Sequence, residues 1–175
     1  MSLDKNENSY YFYLESESTL KISETAIHQL KLFQQKKRID KEAGGILLGY
    51  QYENSADISI EEISTPFPND QRSRSRFYRS IEHHHYAVKR WQETNHECLY
   101  LGLWHTHPEP IPTPSTVDYN DWQTALNSGQ FERNDLFFII VGLEEIRCWQ
   151  GAAGSTWNRL KRKQKRFKML ERKYE

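Results

Sequence analysis

The stretch LYLGLWHTHPEPIPTPSTVDYNDW, residues 99–122, joins an apolar run, a proline-rich loop and the polar start of a helix. The apolar run at 99–104 predicts a buried strand. Because proline has no N–H to donate to a sheet, we expect the strand to end at Pro108, and the three prolines that follow stiffen an extended loop. Ser115 is a typical N-cap and predicts a helix over about 115–127. The stretch therefore predicts a strand, a loop that keeps its shape without a core, and a helix.

Two histidines and one aspartate lie at the two ends of this loop. His105 and His107 are two residues apart at the end of the strand, so their side chains project to the same side of the sheet. Asp118 lies on the helix face that continues through Trp122, so it points back toward the sheet. Two imidazoles and one carboxylate, with a fourth position open, form the pattern of a catalytic zinc site.

Two other interpretations of these residues are open. Ser115 and Asp118 also match the S/T-x-x-acid capping pattern, but together with the two histidines we favour a metal ligand. Non-haem iron uses the same three ligand types, so the residues alone do not exclude it. Zinc is favoured because hydrolysis needs only a Lewis acid. A zinc deaminase is set aside, since the combined pattern of H-x-E with P-C-x-x-C is absent.

A hydrolytic site also needs a base, and the segment EAGGILLG at 42–49 supplies a candidate. Glu42 precedes Gly44 and Gly45, which open a predicted core strand, with Ala43 between them. Glycines at this position would allow the backbone and the Glu42 carboxylate to approach a neighbouring site closely.

The remaining segments alternate between strand and helix patterns. The sequence predicts a fold of the α/β (α+β) class, a sandwich in which helices flank a mixed sheet. The predicted elements are an edge strand at 10–14, a helix capped by Ser23, an antiparallel hairpin of GGILLGYQYE and DISIEEIS, a helix at 81–94, a central buried strand LFFIIVGL and its hairpin partner EIRCWQG. The intervening segment at 65–80 is interpreted as irregular.

Length and charge indicate one domain with a distinct C-terminal segment. The chain has 175 residues, of which 37% are hydrophobic, so we expect a single domain over 1–175 with its core at about 10–150. The formal net charge is zero, but residues 155–175 carry nine Lys or Arg against two Glu. This basic segment is predicted to be a solvated amphipathic helix, or else a surface for an acidic partner.

The sequence also gives an expectation of location. The N-terminus is polar, and no apolar run approaches the roughly 20 residues that cross a bilayer. Cys98 and Cys148 are isolated in apolar surroundings, which is typical of packing thiols in a reducing cytosol. We expect a cytoplasmic protein that has neither a membrane nor a nucleic acid as a partner.

The segments 42–49 and HTHPEPIPTPSTVD at 105–118 together resemble the JAMM signature of the MPN-plus (JAB) zinc metallopeptidases. The spacing matches at every signature position, and the resemblance covers about residues 10–150. It is strongest to prokaryotic JAB proteins, among them the deconjugating peptidases of bacterial CBASS antiphage systems.

The resemblance implies a cytidine-deaminase-like MPN/JAB sandwich with one Zn²⁺ per chain. It implies that His105, His107 and Asp118 are the metal ligands, that Glu42 is the general base, and that Ser115 assists the oxyanion. The implied substrate is a protein conjugated in the manner of ubiquitin, and the bond cut follows its extended C-terminal tail. The resemblance to the CBASS peptidases implies that this protein is a cyclic-nucleotide synthase (CD-NTase), which is released from its targets. The alternatives are a peptidase that processes ubiquitin-like or sulfur-carrier precursors, and a non-catalytic MPN scaffold.

Two further clusters are interpreted as structural. In the histidine run at 83–85, His84 and His85 fall on the predicted apolar side of a helix and are expected in the core or an interface. The arginines at 72, 74, 76 and 79 are expected on a solvated loop and strand face, with a substrate-binding edge as the alternative.

Overall fold

The computed structural model describes residues 8–129, 131–152 and 167–174. Within these residues the chain forms eleven strands and three α-helices, with a short 3₁₀ helix at Glu15–Glu17. The strands are β1 (Tyr10–Tyr13), β2 (Thr19–Ile22), β3 (Gly44–Gln51), β4 (Ile58–Ile63), β5 (Gln71–Ser73), β6 (Arg76–Tyr78), β7 (Leu99–Thr106), β8 (Asp135–Val141), β9 (Ile146–Ala152), β10 (Phe167–Met169) and β11 (Arg172–Lys173). The helices are α1 (Glu24–Leu32), α2 (Glu82–Glu93) and α3 (Thr116–Asn127). None of the helices described is long and apolar enough to cross a bilayer.

Nine of these strands form one mixed sheet in the order β10-β9-β8-β7-β3-β4-β2-β1-β11. The pairs β2/β4 and β7/β8 are parallel, and the other neighbours are antiparallel. The predicted hairpins β3/β4 and β8/β9 are confirmed. β8 lies inside the sheet with its apolar residues buried on both faces, as its continuous apolar run predicts.

Helices cover both faces of the sheet. Ala26, Ile27 and Leu30 of α1 pack into one apolar cluster, while Trp122 and Leu126 of α3 pack into a second cluster. α2 contributes partly buried residues to the second cluster. The predicted sandwich of helices around a mixed sheet is therefore confirmed.

Gly102 allows β7 to lie close against β8. Its φ is +146°, a conformation that side chains rarely allow, and a Cβ placed there would lie 1.7 Å from the carbonyl oxygen of Phe137. The register with β3 shifts at the same level, between Leu47 and Leu48. Beyond this shift the pairing continues to His105 of β7 and Gly44 of β3, where the candidate site lies.

The prediction of a helix over 155–175 is wrong where the structure describes it. Residues 153–166 lie outside the described part of the chain, but β10 pairs with β9 and β11 pairs with β1. Phe167 is buried among the rings of Trp122 and Phe138, so an apolar contact holds this segment as a strand. The core therefore extends beyond residue 150, and β1 is not the edge strand that the sequence predicted.

The segment at 65–80 is not wholly irregular either. β5 and β6 form a separate antiparallel hairpin, with Arg72 opposite Phe77. This hairpin lies beside the candidate site.

Candidate metal centre

The end of β7 and the start of β3 bring the predicted site residues together. His105 pairs with Gly44 in the sheet, and the N–H of Thr106 donates to the carbonyl of Ala43 over 2.9 Å. Glu42 therefore lies next to the two histidines, although it stands 63 positions before His105 in the sequence. His105, His107 and Glu42 are all buried.

Three side chains converge at this point with the spacing of metal ligands. Nε2 of His105 lies 3.1 Å from Nε2 of His107 and 3.0 Å from Oδ1 of Asp118, and Nε2 of His107 lies 3.1 Å from Oδ2 of Asp118. A tetrahedral zinc with ligand bonds of about 2.0–2.1 Å separates its ligand atoms by about 3.3 Å. The donor atoms of these three residues therefore fit a tetrahedral ion.

Asp118 also caps its own helix. Its Oδ2 accepts a hydrogen bond from the N–H of Ser115 over 2.7 Å, while Oγ of Ser115 accepts one from the N–H of Asp118 over 3.2 Å. The capping box and the contact with the histidines thus occur together. A capping role for Asp118 therefore does not exclude its role as a metal ligand. The cap fixes the carboxylate in the orientation that faces both imidazoles.

The Glu42 carboxylate belongs to the same cluster. One of its oxygens and the ring nitrogens of His105 and His107 all lie within 4.8 Å of one another. Burial raises the pKa of Glu42 to about 7, against the opposing influence of His107. A carboxylate with a pKa in this range is suited to accept and return a proton near neutral pH.

Gly44 and Gly45, which open β3, lie in close contact with neighbouring segments. A Cβ on Gly44 would lie 2.6 Å from the ring of Phe77, and one on Gly45 would lie 2.2 Å from the carbonyl oxygen of Ser64. Neither position could hold a side chain without moving the hairpin or the neighbouring backbone.

Burial and the mutual hydrogen bonds shift the pKa values of the three converging side chains in different directions. Burial acts to raise the pKa of Asp118, but hydrogen bonds from the two histidines outweigh it and hold that pKa well below its usual range. Burial lowers the pKa of His105. For His107 burial acts in the same direction, but the contact with Asp118 prevails and its pKa is raised.

A second carboxylate, which the sequence analysis did not single out, contacts the back of His107. Nδ1 of His107 lies 2.9 Å from Oε1 of Glu109. The turn between β8 and β9 holds this loop, because the N–H of Leu143 donates to the carbonyl of Glu109 over 2.8 Å. When a histidine binds a metal through one ring nitrogen, a carboxylate that accepts a hydrogen bond from the other nitrogen fixes the tautomer of the ring. The His107-x-Glu109 spacing is the feature of the sequence that could have identified this contact.

A buried amide, also missed, ties the loop before Glu42 to β7. Oγ1 of Thr106 donates to Oε1 of Gln35 over 2.8 Å and accepts from the N–H of Ala43 over 3.0 Å. Nε2 of Gln35 in turn donates to the carbonyl of Arg74 in the hairpin over 2.8 Å. Nothing in the local sequence pattern distinguishes Gln35 from a solvated residue.

The interpretation of the arginine run as a solvated face is wrong for Arg72 and Arg79, which are partly buried, whereas Arg74 and Arg76 are exposed. Nε of Arg72 donates to the carbonyl of Glu42 over 2.8 Å, and Arg74 donates to the carbonyls of Lys37 and Arg38. Arg79 donates to the carbonyls of Gly45 and Trp104 and pairs with Asp121. These guanidinium groups satisfy carbonyls around the site, and Arg76 alone of the four lies exposed without such a contact.

The expectation that His84 and His85 lie in the core is also wrong. His83 is the buried member, whereas His84 and His85 are exposed. Nδ1 of His83 lies 2.6 Å from Oγ of Ser64, and its Nε2 lies 2.8 Å from Oδ2 of Asp70. α2 turns the face with His83, Tyr86 and Ala87 to the sheet, and the face with Ile81 and Val88 is exposed. Both thiols, by contrast, are free and buried as predicted.

The site opens into a cleft of about 390 Å³. One wall is formed by residues 75–79, which include β6, and the other by Pro108, Glu109 and the start of α3. Glu42, His105, His107 and Asp118 lie at its base. A chain that enters this cleft meets the converging side chains directly.

Comparison with known proteins gives a family for this arrangement. Residues 25–151 match the family described as prokaryotic homologs of the JAB domain. This chain belongs to that family. The match includes all five predicted site residues, and the family assignment makes the chain a JAB-type peptidase.

Relatives with a stated activity are similar over most of their length. The chain is 30% identical to a "CD-NTase/cGAS isopeptidase" from Escherichia coli (strain TW11681), covering 83% of this chain and 89% of the relative. It is 31% identical to a protein of the same name from Pseudomonas aeruginosa (strain BWHPSA011 / Pa011), and the match covers 73% of this chain and 80% of the relative. A third, from Vibrio cholerae serotype O1, is 30% identical and is covered to 83%.

A solved structure supports the fold. The solution structure of protein DSY2949 from Desulfitobacterium hafniense superposes with a TM-score of 0.52 at 20% identity, covering 74% of this chain and 82% of that one. At this identity the likeness concerns the fold alone.

Proposed function

We propose that this JAB protein is a zinc-dependent isopeptidase that cleaves the amide bond after the last residue of a protein's extended C-terminal tail. The tail is joined to a lysine amine or to a further peptide. The observation that carries the proposal is the convergence of His105, His107 and Asp118 within 3.1 Å of one another beside Glu42.

In this proposal the ion is held by Nε2 of His105, Nε2 of His107 and the carboxylate of Asp118. Zinc bound there would supply a Lewis acid that polarises the scissile carbonyl and activates water. Nitrogen and carboxylate donors are the ligand types that zinc accepts, and three protein ligands leave one position open. Glu109 orients His107, because it accepts the Nδ1 hydrogen and leaves the Nε2 lone pair free.

Glu42 is the proposed general base. Its carboxylate takes a proton from the attacking water, whose oxygen bonds to the scissile carbon. The same carboxyl group then delivers that proton to the leaving amine nitrogen as the C–N bond breaks. The burial that raises its pKa to about 7 suits both steps.

Ser115 is the proposed oxyanion donor. Its Oγ already accepts a hydrogen bond from the N–H of Asp118, so the hydroxyl hydrogen can point into the cleft, which Ser115 lines. A hydroxyl positioned for the developing oxyanion stabilises the transition state more than the ground state.

The shape of the cleft favours an extended substrate. A strand, β6, forms one wall, and the proline-stiffened loop forms the opposite wall. An extended tail along a strand gains affinity from main-chain hydrogen bonds and needs few side-chain contacts. Specificity then comes from the folded body of the substrate, and short peptides should be cleaved poorly.

We infer that this folded body is a CD-NTase, because three relatives at about 30% identity carry the name CD-NTase/cGAS isopeptidase. The bond cut would then join the CD-NTase C-terminus to a target protein. A cytoplasmic location remains the prediction of the sequence.

The test is a panel of three fusions. A reporter is fused to the C-terminus of a CD-NTase, of ubiquitin and of a sulfur carrier, and the products formed by the zinc-loaded protein are identified by mass spectrometry. The proposal predicts cleavage of the CD-NTase fusion at its native terminus. Selective cleavage of the sulfur-carrier fusion would favour precursor processing, and cleavage of none would favour a non-catalytic scaffold.

A further inference from the structure

A cluster of exposed cations adjoins the cleft. It comprises six side chains from two segments: Lys36, Lys37, Arg38, Lys41, Arg74 and Arg76. We call this cluster the basic rim. The acidic residue within the two segments is Asp40, and its Oδ2 accepts a hydrogen bond from the N–H of Lys37 over 2.8 Å.

Backbone contacts hold the two segments of the rim together. Nη1 of Arg74 donates to the carbonyl of Arg38 over 2.5 Å and to that of Lys37 over 3.2 Å. Arg72, between the segments, donates to the carbonyls of Lys41 and Glu42. Hydrogen bonds therefore fix the loop before Glu42 and the β5/β6 hairpin to each other, and the rim is one continuous surface.

The cations of the rim are not neutralised within the part of the chain that the structure describes. Every ion pair found there involves other residues, such as Arg79 with Asp121 and Arg90 with Glu62. Six positive charges gathered without acidic partners repel one another, which costs stability. Such an arrangement is typical of a surface that meets negative charge on another molecule.

The rim continues directly into the cleft. Arg76 and Ser75 line the cleft together with Glu42 and His107, so the rim adjoins the cleft in which an extended tail would lie. A folded protein attached to that tail would lie against this side of the molecule.

We propose that the basic rim is a docking surface for an acidic patch on the folded body of the protein substrate. This inference rests on the proposed isopeptidase function and adds a recognition surface to it. A protein partner is favoured over a nucleic acid because the rim adjoins a peptidase cleft whose own lining carries the acidic residues Glu42, Glu109, Asp118 and Asp121. Those carboxylates would repel a phosphate backbone that crossed from the rim into the site.

The test compares two variants with equal changes of charge. Lys37→Glu/Arg38→Glu reverses two charges in the rim, and Lys89→Glu/Lys168→Glu reverses two exposed charges elsewhere. Each zinc-loaded variant is assayed on whichever of the three fusions the unmodified protein cleaves. Salt is varied from about 10 mM, where the Debye length is about 30 Å, to about 1 M, where it is about 3 Å.

We expect the rim variant to lose at least about tenfold in kcat/KM at low salt, as steering by a charged surface accounts for factors of about 10–10³. The loss should appear in KM and should disappear at high salt, whereas the control variant should stay close to the unmodified protein throughout. Zinc content and melting temperature verify that both variants fold. Lys37→Ala/Arg38→Ala, which introduces no new charge, replaces the rim variant if it does not fold.

Equal kcat/KM values for the rim and control variants would overturn the docking surface while leaving the proposed function intact. A loss that persists at high salt would also overturn it, since that loss would be structural. The docking surface would also be overturned if the unmodified protein bound a single-stranded DNA oligonucleotide more tightly than the rim variant did, while both cleaved the fusion equally well. Cleavage of no fusion would remove the proposed function itself.

Discussion

Removal of the Glu109 carboxylate should weaken zinc binding although none of the proposed metal ligands is changed. Nδ1 of His107 donates to Oε1 of Glu109 over 2.9 Å, while Nε2 of the same ring faces His105 and Asp118. Loss of such an outer partner typically costs about 10–100-fold in metal affinity. The Glu109 side chain is 45% exposed, so water can replace part of the contact and we expect the lower value. A tenfold loss corresponds to about 1.4 kcal/mol.

The assay is competition for zinc against a chelating indicator. Glu109→Ala should raise the Kd for zinc about tenfold, whereas Glu109→Gln should stay closer to the unmodified protein because its amide oxygen still accepts the hydrogen bond. Glu144→Ala is the matched control, since Glu144 is exposed on the adjacent turn and its backbone contacts Pro110. An unchanged Kd for Glu109→Ala, or an equal loss for Glu144→Ala, would refute the reasoning.

Three further substitutions test the ligands, the oxyanion donor and the fold. Asp118→Ala should abolish the binding of about one zinc per chain in elemental analysis, because three ligands leave no redundancy; full occupancy would exclude Asp118 as a ligand. Ser115→Ala should lower kcat by about 10²–10³ and also cost about 1 kcal/mol of stability through the lost cap, and an unchanged kcat would leave Ser115 as a cap alone. Gly102→Ala should lower the free energy of unfolding in urea by about 3 kcal/mol, since its Cβ would meet the Phe137 carbonyl, and an unchanged midpoint would contradict the close approach.

The convergence of the candidate site residues could be predicted because their signals are local and combine. His105 and His107 share one side of a strand end, Asp118 lies on the inward face of the next helix, and Glu42 precedes a pair of glycines. Each pattern alone has a common structural explanation. Their joint spacing does not, and the structure brings all four side chains into one buried cluster.

The supporting contacts could not be predicted because they depend on pairing between distant segments. Gln35 reaches Thr106 across 71 positions, and Arg79 reaches the carbonyl of Trp104 across 25. The sequence shows only a polar residue and a charge at these places. The register that makes them contact β7 is set by the whole sheet.

The C-terminal segment was mispredicted for a related reason. The many basic residues with apolar residues among them were interpreted as an amphipathic helix, but Phe167 fills space between Trp122 and Phe138. The strand β10 then completes the sheet beside β9. Tertiary packing prevails over local propensity here, as it often does for short segments.

The central claim is that Glu42 moves the proton in a metal-dependent cleavage of a protein tail. The most direct measurement is the turnover of the CD-NTase fusion by zinc-loaded Glu42→Gln beside the unmodified protein, with zinc content and melting temperature recorded for both. The account predicts equal zinc, an unchanged fold and a turnover lowered by about 10²–10⁴, the usual contribution of a positioned general base. Turnover by Glu42→Gln equal to that of the unmodified protein would contradict it.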